Sequence, residues 1–220
     1  MTVGPLHTVA ADIHHTDVAE LFPGIDHVAY LLTVDDENIW LYSSLVTDRH
    51  LAAIEALGGV DRQYLNHRDE ASPGCDIIRD HFGAPLHCHV AEREAVQAVT
   101  GVDATFEERH QITPSLEARP AAGHVAGSTT FVLRHEGKTT LFPSDTVYPL
   151  YGEWHTFLDE RSDPEAMLST LDLYDELDVD LICPSLFAGE TVTESVSADR
   201  WHTIVEDCRV ETQRIIDERS

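Results

Sequence analysis

The sequence has almost no lysine and no long apolar run. Lys138 is its one lysine, and 14 basic residues stand against 40 acidic ones, for a net charge of −26. No run of about 18 apolar residues occurs, so no transmembrane helix is predicted. The first fifteen residues lack the basic start and apolar centre of a secretory signal. The sequence therefore predicts a cytoplasmic protein that does not associate with membranes.

The shortage of positive charge also argues against nucleic acids as partners, since such a surface repels phosphate backbones. The acidic residues are spread along the chain and are not collected in a tail. This distribution favours adaptation to a salt-rich, halophilic cytoplasm, where the Debye length falls to about 3 Å at 1 M salt. An acidic surface that binds a partner is the competing interpretation.

Paired cysteines and glycine-rich phosphate loops are absent as well. None of the four cysteines forms a C-x-x-C pair, so we expect reduced thiols that occupy the core. Neither a G-x-G-x-x-G motif nor a P-loop occurs, which argues against the common nucleotide-binding folds. A length of 220 residues with 42% hydrophobic content favours one domain over residues 1–220.

Two hairpins begin the two halves of the chain. The first is predicted over 27–46, with a polar turn at 35–38, and the second over 128–145, with its turn at Glu136-Gly137. Strand and helix patterns alternate after each hairpin. This order predicts an α/β protein in which two packed sheets are covered by helices, a four-layer αββα sandwich. A doubly wound sheet is the alternative.

Two helices in the second half have clear sequence signals. Asp163 and Pro164 are a plausible N-cap and first residue of a helix that extends to about residue 177. The segment 197–218 predicts a long amphipathic helix. Its apolar positions are Trp201, Ile204, Val205, Cys208 and Ile215.

Side chains that bind metals or transfer protons follow predicted strands at four places. They are His67-Arg68-Asp69-Glu70, His124 in "AAGHVAGSTTF", Asp145 in "LFPSDT", and Ser185 with Glu190 in "ICPSLFAGE". Residues two apart at an extended strand end point the same way, so His67 and Asp69 could bind one ion. The glycines that flank His124 indicate close approach of the backbone to a neighbour.

The order and spacing of these segments resemble the metallo-β-lactamase superfamily, from about Val28 to Pro184. "GHVAGST" and "LFPSDT" are similar to its "GHTPGS" and "GDT" signatures, and one hairpin separates them. Members usually carry His-x-His-x-Asp-His, whereas here Asp69 stands for the second His, Ala71 for the Asp and Ser72 for the last His. The late segment "CPSLFAGE" also lacks the usual final His.

The resemblance implies an αββα fold with half of the usual ligands. One divalent metal would be held by His67, Asp69, His124 and Asp145. Zinc is the first expectation, and the carboxylates also suit Fe²⁺ or Mn²⁺.

The function implied is hydrolysis of a small-molecule ester, thioester or phosphoester by a single metal-activated water. Glu70 and His155 are the candidates for the general base. The alternative is a catalytically inactive protein that keeps the fold as a binding or regulatory module.

Several other residues have a non-catalytic interpretation. Arg68 and Glu70 are expected to form a local ion pair or to be solvated charges. His87 and His89 share one face of a strand, and we favour a structural role for them over a metal site. The oligomeric state is left open, with a homo-oligomer among the alternatives.

Overall fold

The computed structural model describes residues 6–43 and 46–219, whose strands form two large sheets and two small ones. In spatial order, the first large sheet contains β1 (Leu6–Ala10), β2 (Ile13–Thr16), β5 (Tyr30–Val34), β6 (Glu37–Leu41), β7 (Arg62–Tyr64), β8 (Leu86–His89) and β9 (Ala104–Phe106). The second contains β10 (His110–Gln111), β11 (Leu116–Pro120), β12 (Thr129–His135), β13 (Lys138–Phe142), β16 (Leu181–Ile182) and β18 (Glu194–Ser195).

The small sheets lie in the connections between these strands. One contains β3 (Ala19–Phe22), β4 (Ile25–His27) and β17 (Leu186–Phe187), and the other pairs β14 (Val147–Leu150) with β15 (Glu153–Thr156). The α-helices are α1 (Asp48–Ala56), α2 (Pro73–Phe82), α3 (Arg93–Gln97), α4 (Pro164–Asp175) and α5 (Ala198–Arg219). No helix in the described ranges is long and apolar enough to cross a membrane.

Aromatic rings fill the space between the two large sheets. Tyr30 packs edge-on against Phe142 at 5.4 Å between ring centroids, and Tyr64 against Phe131 at 6.0 Å. Because side chains alternate along a strand, Val132 of β12 faces the opposite way. It joins a second apolar cluster with the buried sides of α4 and α5.

The outer face of the first sheet is covered in the same manner. Leu86 and Cys88 of β8 pack with Cys75 of α2 and Val96 of α3. The layers are therefore helix, sheet, sheet and helix, and the predicted αββα sandwich is confirmed. All four cysteines are buried free thiols, as expected.

Both predicted hairpins form. Asp35 and Asp36 have φ values of +54° and +61° and connect β5 to β6, while Glu136 and Gly137 connect β12 to β13. Residues 44 and 45 of the first predicted hairpin lie outside the described residues. Asp163 caps α4 by accepting hydrogen bonds from the backbone N–H groups of Glu165 and Ala166, as its sequence position predicts.

The strand directions determine where the candidate site residues lie. β6, β7, β8 and β9 run parallel, so their carboxyl ends meet at one edge of the first sheet. His67 follows β7 at this edge, and Asp145 follows β13 of the second sheet.

Candidate metal centre

Asn66 fixes the segment after β7 to the second sheet. Its side-chain amide donates a hydrogen bond to the Thr129 carbonyl and a longer one, 3.5 Å, to the Pro143 carbonyl. The Asn66 carbonyl accepts from the Thr129 backbone N–H at 3.0 Å. These bonds hold His67 beside the residues that flank β12 and β13. Sequence reasoning missed Asn66, because its partners lie more than sixty positions away.

His67, His124 and Asp145 converge where the two sheets meet. A carboxylate oxygen of Asp145 lies 3.3 Å from Nε2 of His67 and 3.9 Å from Nε2 of His124. One ligand atom from each residue lies within 4.8 Å of the others. In residues 6–43 and 46–219, no other group of three or more His, Cys, Asp or Glu side chains has this spacing.

The two imidazoles are oriented as metal ligands are. Nδ1 of His67 lies 3.2 Å from the side-chain oxygen of Asn66, and Nδ1 of His124 lies 3.2 Å from the Phe157 carbonyl. Each Nδ1–H therefore donates outward, which directs the Nε2 lone pair into the site. Both Nε2 atoms are buried and have no hydrogen-bond partner. Two orphaned imidazole nitrogens beside a carboxylate suit a divalent metal ion.

The charges around His67 favour a cation at this point. Burial lowers its pKa, but Asp145 and Glu70 outweigh burial and bring the pKa of His67 to about 9. Burial opposes ionisation of Asp145, yet His67 keeps the pKa of that carboxyl below its ordinary value. A bound ion would replace the imidazole proton.

Asp69 is close to the ligands but belongs to an ion pair. One of its carboxylate oxygens lies 3.6 Å from Nε2 of His124. Arg161 donates to both oxygens, at 3.0 and 2.7 Å. The nearby His124 imidazole and the hydrogen bonds from Arg161 keep the pKa of Asp69 far below its usual range, against the effect of burial.

The two predicted general bases lie in different places. Glu70 is buried in the wall of the cleft, where it accepts hydrogen bonds from the Ser144 hydroxyl and the Asn66 backbone N–H. Burial raises the pKa of Glu70 to about 7. His155 lies 3.1 Å from a carboxylate oxygen of Glu211 and borders a separate depression. The structure thus brings Glu70, but not His155, to the other predicted site residues.

The expected local pair of Arg68 with Glu70 does not form. Arg68 pairs instead with Glu92, which is fully buried, through bonds of 2.5 and 2.9 Å from its guanidinium group. Glu92 also accepts the backbone N–H of Gly127 at 2.8 Å. The sequence spacing does not reveal this pairing. Arg68 follows β7 and Glu92 follows β8, and only the pairing of these two strands brings the side chains together.

The glycines beside His124 permit two close contacts, as the sequence indicates. A Cβ at Gly127 would lie 2.6 Å from Cγ of Glu92, and one at Gly123 would lie 2.7 Å from Cα of Met167. The contact between Gly123 and Met167 packs the His124 loop against α4. Ser162 adds a hydrogen bond of 2.9 Å to the His124 carbonyl.

The three candidate ligands His67, His124 and Asp145, here called the metal-ligand group, lie in the wall of a cleft of about 760 Å³. Much of the remaining wall is apolar, including Leu21 and Ile25 of the β3–β4 hairpin and Phe157. Arg161 is the one lysine or arginine among the described residues that line the cleft. Such a cleft, mostly apolar with a few convergent polar groups, is typical of a small-molecule site.

His27 is a further imidazole of this cleft that sequence reasoning missed. Its Nδ1 is buried without a hydrogen-bond partner. Burial lowers the pKa of His27, against the opposing effects of the Ala19 backbone and the Asp26 and Asp145 carboxylates. The turn dipeptide Pro23-Gly24 is a sequence signal for the β3–β4 hairpin that places this residue.

The positions where the resembled motif would carry its further Asp and His ligands hold no carboxylate or imidazole. Ala71 and Ser72 line the cleft, and Ser72 caps α2 by accepting the Gly74 backbone N–H at 3.1 Å. Ser185, from the late segment that lacks histidine, donates a bond of 3.3 Å to Asp145.

His87 and His89 take structural positions, as favoured from the sequence. His87 stacks on Tyr64 at 4.6 Å between ring centroids, and Nε2 of His89 lies 3.0 Å from the Glu107 carbonyl. Neither lines the cleft.

No protein-family model matches the chain, and no curated protein matches it. The chain does align with solved structures. VMB-1 aligns with a TM-score of 0.75 at 12% identity, covering 96% of this chain and 97% of its own. A metallo-β-lactamase from Pontibacter korlensis aligns with a TM-score of 0.70 at 13% identity, covering 92% and 98%. BJP-1, a subclass B3 metallo-β-lactamase of Bradyrhizobium japonicum, gives 0.68 at 11%, covering 97% and 94%.

The chain has the metallo-β-lactamase fold. The alignments cover almost all of each chain, so the fold that the motif resemblance implies is confirmed. At these identities the likeness extends to the fold alone. Within the metallo-β-lactamase fold, the group His67, His124 and Asp145 supports divalent metal binding.

Proposed function

We propose that the protein is a metal-dependent hydrolase of small esters, thioesters or phosphoesters. One observation carries the proposal: two buried imidazole nitrogens without partners meet a carboxylate in the wall of a mostly apolar cleft. A buried nitrogen without a partner destabilises the fold by about 1–3 kcal/mol, so a site with two of them is costly unless something binds there.

His67, His124 and Asp145 would hold the ion, with zinc preferred and Fe²⁺ or Mn²⁺ as alternatives. When bound, a divalent ion supplies Lewis acidity and lowers the pKa of water. Asn66 and the Phe157 carbonyl hold the two imidazoles in the required orientation. The apolar wall receives the carbon skeleton of a small-molecule substrate and excludes water from the reacting group.

Hydrolysis also needs a group that accepts a proton. Both oxygens of Glu70 already accept hydrogen bonds, from Ser144 and Asn66, which favours a role in holding this wall of the cleft. His27 also lines this cleft, its buried Nδ1 has no hydrogen-bond partner, and burial lowers the pKa of its imidazole. We therefore assign the proton acceptor to His27 in preference to Glu70 and His155.

The first experiment is elemental analysis of protein purified in high salt without a metal-affinity tag. The proposal expects about one metal per chain, lost in His124→Ala and kept in His155→Ala. The metal-loaded protein is then assayed with p-nitrophenyl esters, a thioester and bis-p-nitrophenyl phosphate, before and after chelation. Absence of metal, with unchanged thermal stability on chelation, contradicts the proposal.

A binding or regulatory module is the second candidate, favoured by the absence of ligand side chains at Ala71 and Ser72. Metal at full occupancy without turnover of any ester, thioester or phosphoester would favour this candidate. Chelator-sensitive turnover that falls in His27→Ala, with the metal retained, would favour the hydrolase.

A further inference from the structure

Asp69 lies between the Arg161 guanidinium and the His124 imidazole of the metal-ligand group. Its Oδ2 is 3.6 Å from Nε2 of His124, which places this carboxylate beside the metal-ligand group. The same Oδ2 accepts Nη2 of Arg161 at 2.7 Å, and Oδ1 accepts Nη1 at 3.0 Å. A divalent ion and a guanidinium group on one oxygen would repel each other, so only one of them has full use of Asp69.

The pair of Asp69 with Arg161 is one that water and a competing cation can open. The side chains are 40% and 51% exposed, and exposed ion pairs contribute little to stability. Arg68 and Glu92 provide the contrast, because Glu92 has no exposed surface and is also bound to the Gly127 backbone. The two neighbouring ion pairs of this loop therefore differ in how easily they exchange partners.

Arg161 has a second anchor that remains when Asp69 leaves. Its Nε and Nη2 donate to Asp159 at 3.0 and 2.7 Å. Release of Asp69 thus leaves the guanidinium paired and in place at the cleft. Ser162, the next residue, still binds the His124 carbonyl, so the loop keeps its hold on the metal ligand.

We propose that Arg161 competes with the metal ion for Asp69 and so determines whether the ion has three or four protein ligands. Without metal, Arg161 holds Asp69 in a bidentate pair. With metal, Asp69 moves to the ion beside His124, and Arg161 stays on Asp159. The inference rests on the proposed metal centre and adds a residue that controls its affinity.

The test is calorimetric titration of the chelator-treated full chain with Zn²⁺ alone. Arg161→Gln removes the competitor, and we expect Zn²⁺ to bind about tenfold more tightly, within the usual range for coupled sites. Asp69→Asn should weaken binding. In Asp69→Asn/Arg161→Gln, the gain from losing Arg161 should vanish, because no carboxylate remains to be released.

Two controls separate competition from other effects. Arg214→Gln removes a guanidinium from an exposed pair with Glu218 on α5, outside the cleft, and should leave Zn²⁺ affinity unchanged. Arg161→Lys keeps the charge without the bidentate geometry and should give an intermediate affinity. Circular dichroism of each metal-free variant checks that the fold is intact.

The outcomes are distinct. An equal gain from Arg161→Gln with and without Asp69 would indicate simple charge repulsion and overturn the inference. Unchanged affinity in Arg161→Gln or in Asp69→Asn would also overturn it, while the metal centre itself would stand. Absence of Zn²⁺ binding in the wild-type chain would overturn the metal centre and this inference together.

Discussion

At the residue scale, the candidate metal centre depends on partners that fix imidazole orientation. His67 and His124 each use Nδ1 toward a protein oxygen, which leaves Nε2 buried and free. The sequence offered both residues and Asp145 as candidate ligands, because each follows a strand within a recognisable motif. It could not predict that Arg161 would bind Asp69, since 92 positions separate the two residues and no local pattern connects them.

Zn²⁺ should stabilise the protein through these free nitrogens. At 100 times its Kd, we expect an increase of about 2.7 kcal/mol in the unfolding free energy, because the ion binds the folded state only. His124→Ala should lose most of this increase, as measured by urea unfolding with and without Zn²⁺. His155→Ala is the control, since His155 lies outside the cleft. Equal loss in both variants would show that the ion binds elsewhere.

At the element scale, the strands with strong periodicity were predicted well, whereas some of the short strands were not. The hairpins 27–46 and 128–145 carry alternating apolar residues around turn residues, and both were found. The late segment that contains "ICPSLFAGE" forms two short strands, β16 and β17, which belong to different sheets. Pro184 between them donates no hydrogen bond, and pairing with β4 depends on a segment near the start of the chain.

The loop that carries His124 depends on the absence of a side chain at Gly127. Gly127→Ala would place a methyl group against the buried Glu92, and we expect a loss of about 1–3 kcal/mol in stability. Gly137→Ala is the matched control: its Cβ meets nothing within 4 Å, and only its φ of +75° is unfavourable. Denaturant midpoints of both variants measure the difference. A neutral Gly127→Ala would contradict this view of the loop.

A buried carboxylate joins β11 to its neighbours. Glu117 is 2% exposed and accepts bonds from Arg109, Arg119 and Arg134. Burial opposes its ionisation, but the arginines outweigh burial and lower the pKa of Glu117.

The lowered pKa of Glu117 makes its contribution dependent on pH. A depressed folded-state pKa stabilises the protein above the unfolded value of about 4.3, and this stabilisation falls as pH decreases toward the folded value. Glu117→Gln should therefore cost about 1–3 kcal/mol at pH 7 and progressively less below about pH 5. Unfolding free energies from pH 7 to 3.5 measure the difference. Glu218→Gln, at an exposed pair on α5, controls for loss of one carboxylate.

At the scale of the whole molecule, a net charge of −26 on 220 residues opposes the compact state through self-repulsion. Raising the salt concentration shortens the range of this repulsion from about 10 Å at 0.1 M to 3 Å at 1 M. The sequence-based expectation of halophilic adaptation follows from this relation.

Salt should accordingly raise the thermal midpoint. We expect most of the increase between 0.1 and 1 M KCl, with little further change once the Debye length is shorter than the spacing of charges. Chloride is used because sulfate stabilises proteins by exclusion from their surface. A midpoint independent of KCl would favour the other interpretation, an acidic surface that binds a partner.

By itself, the sequence determined the strand-end positions of His67, His124 and Asp145, the two central hairpins and the αββα layers. These follow from local periodicity and from motifs a few residues long. Only the tertiary structure decided the ion pairs of Arg68 and Arg161, the hydrogen bonds of Asn66 to the second sheet and the position of His27 in the cleft. Each of these contacts joins segments that are distant along the chain, and only the packing of the two sheets brings them together.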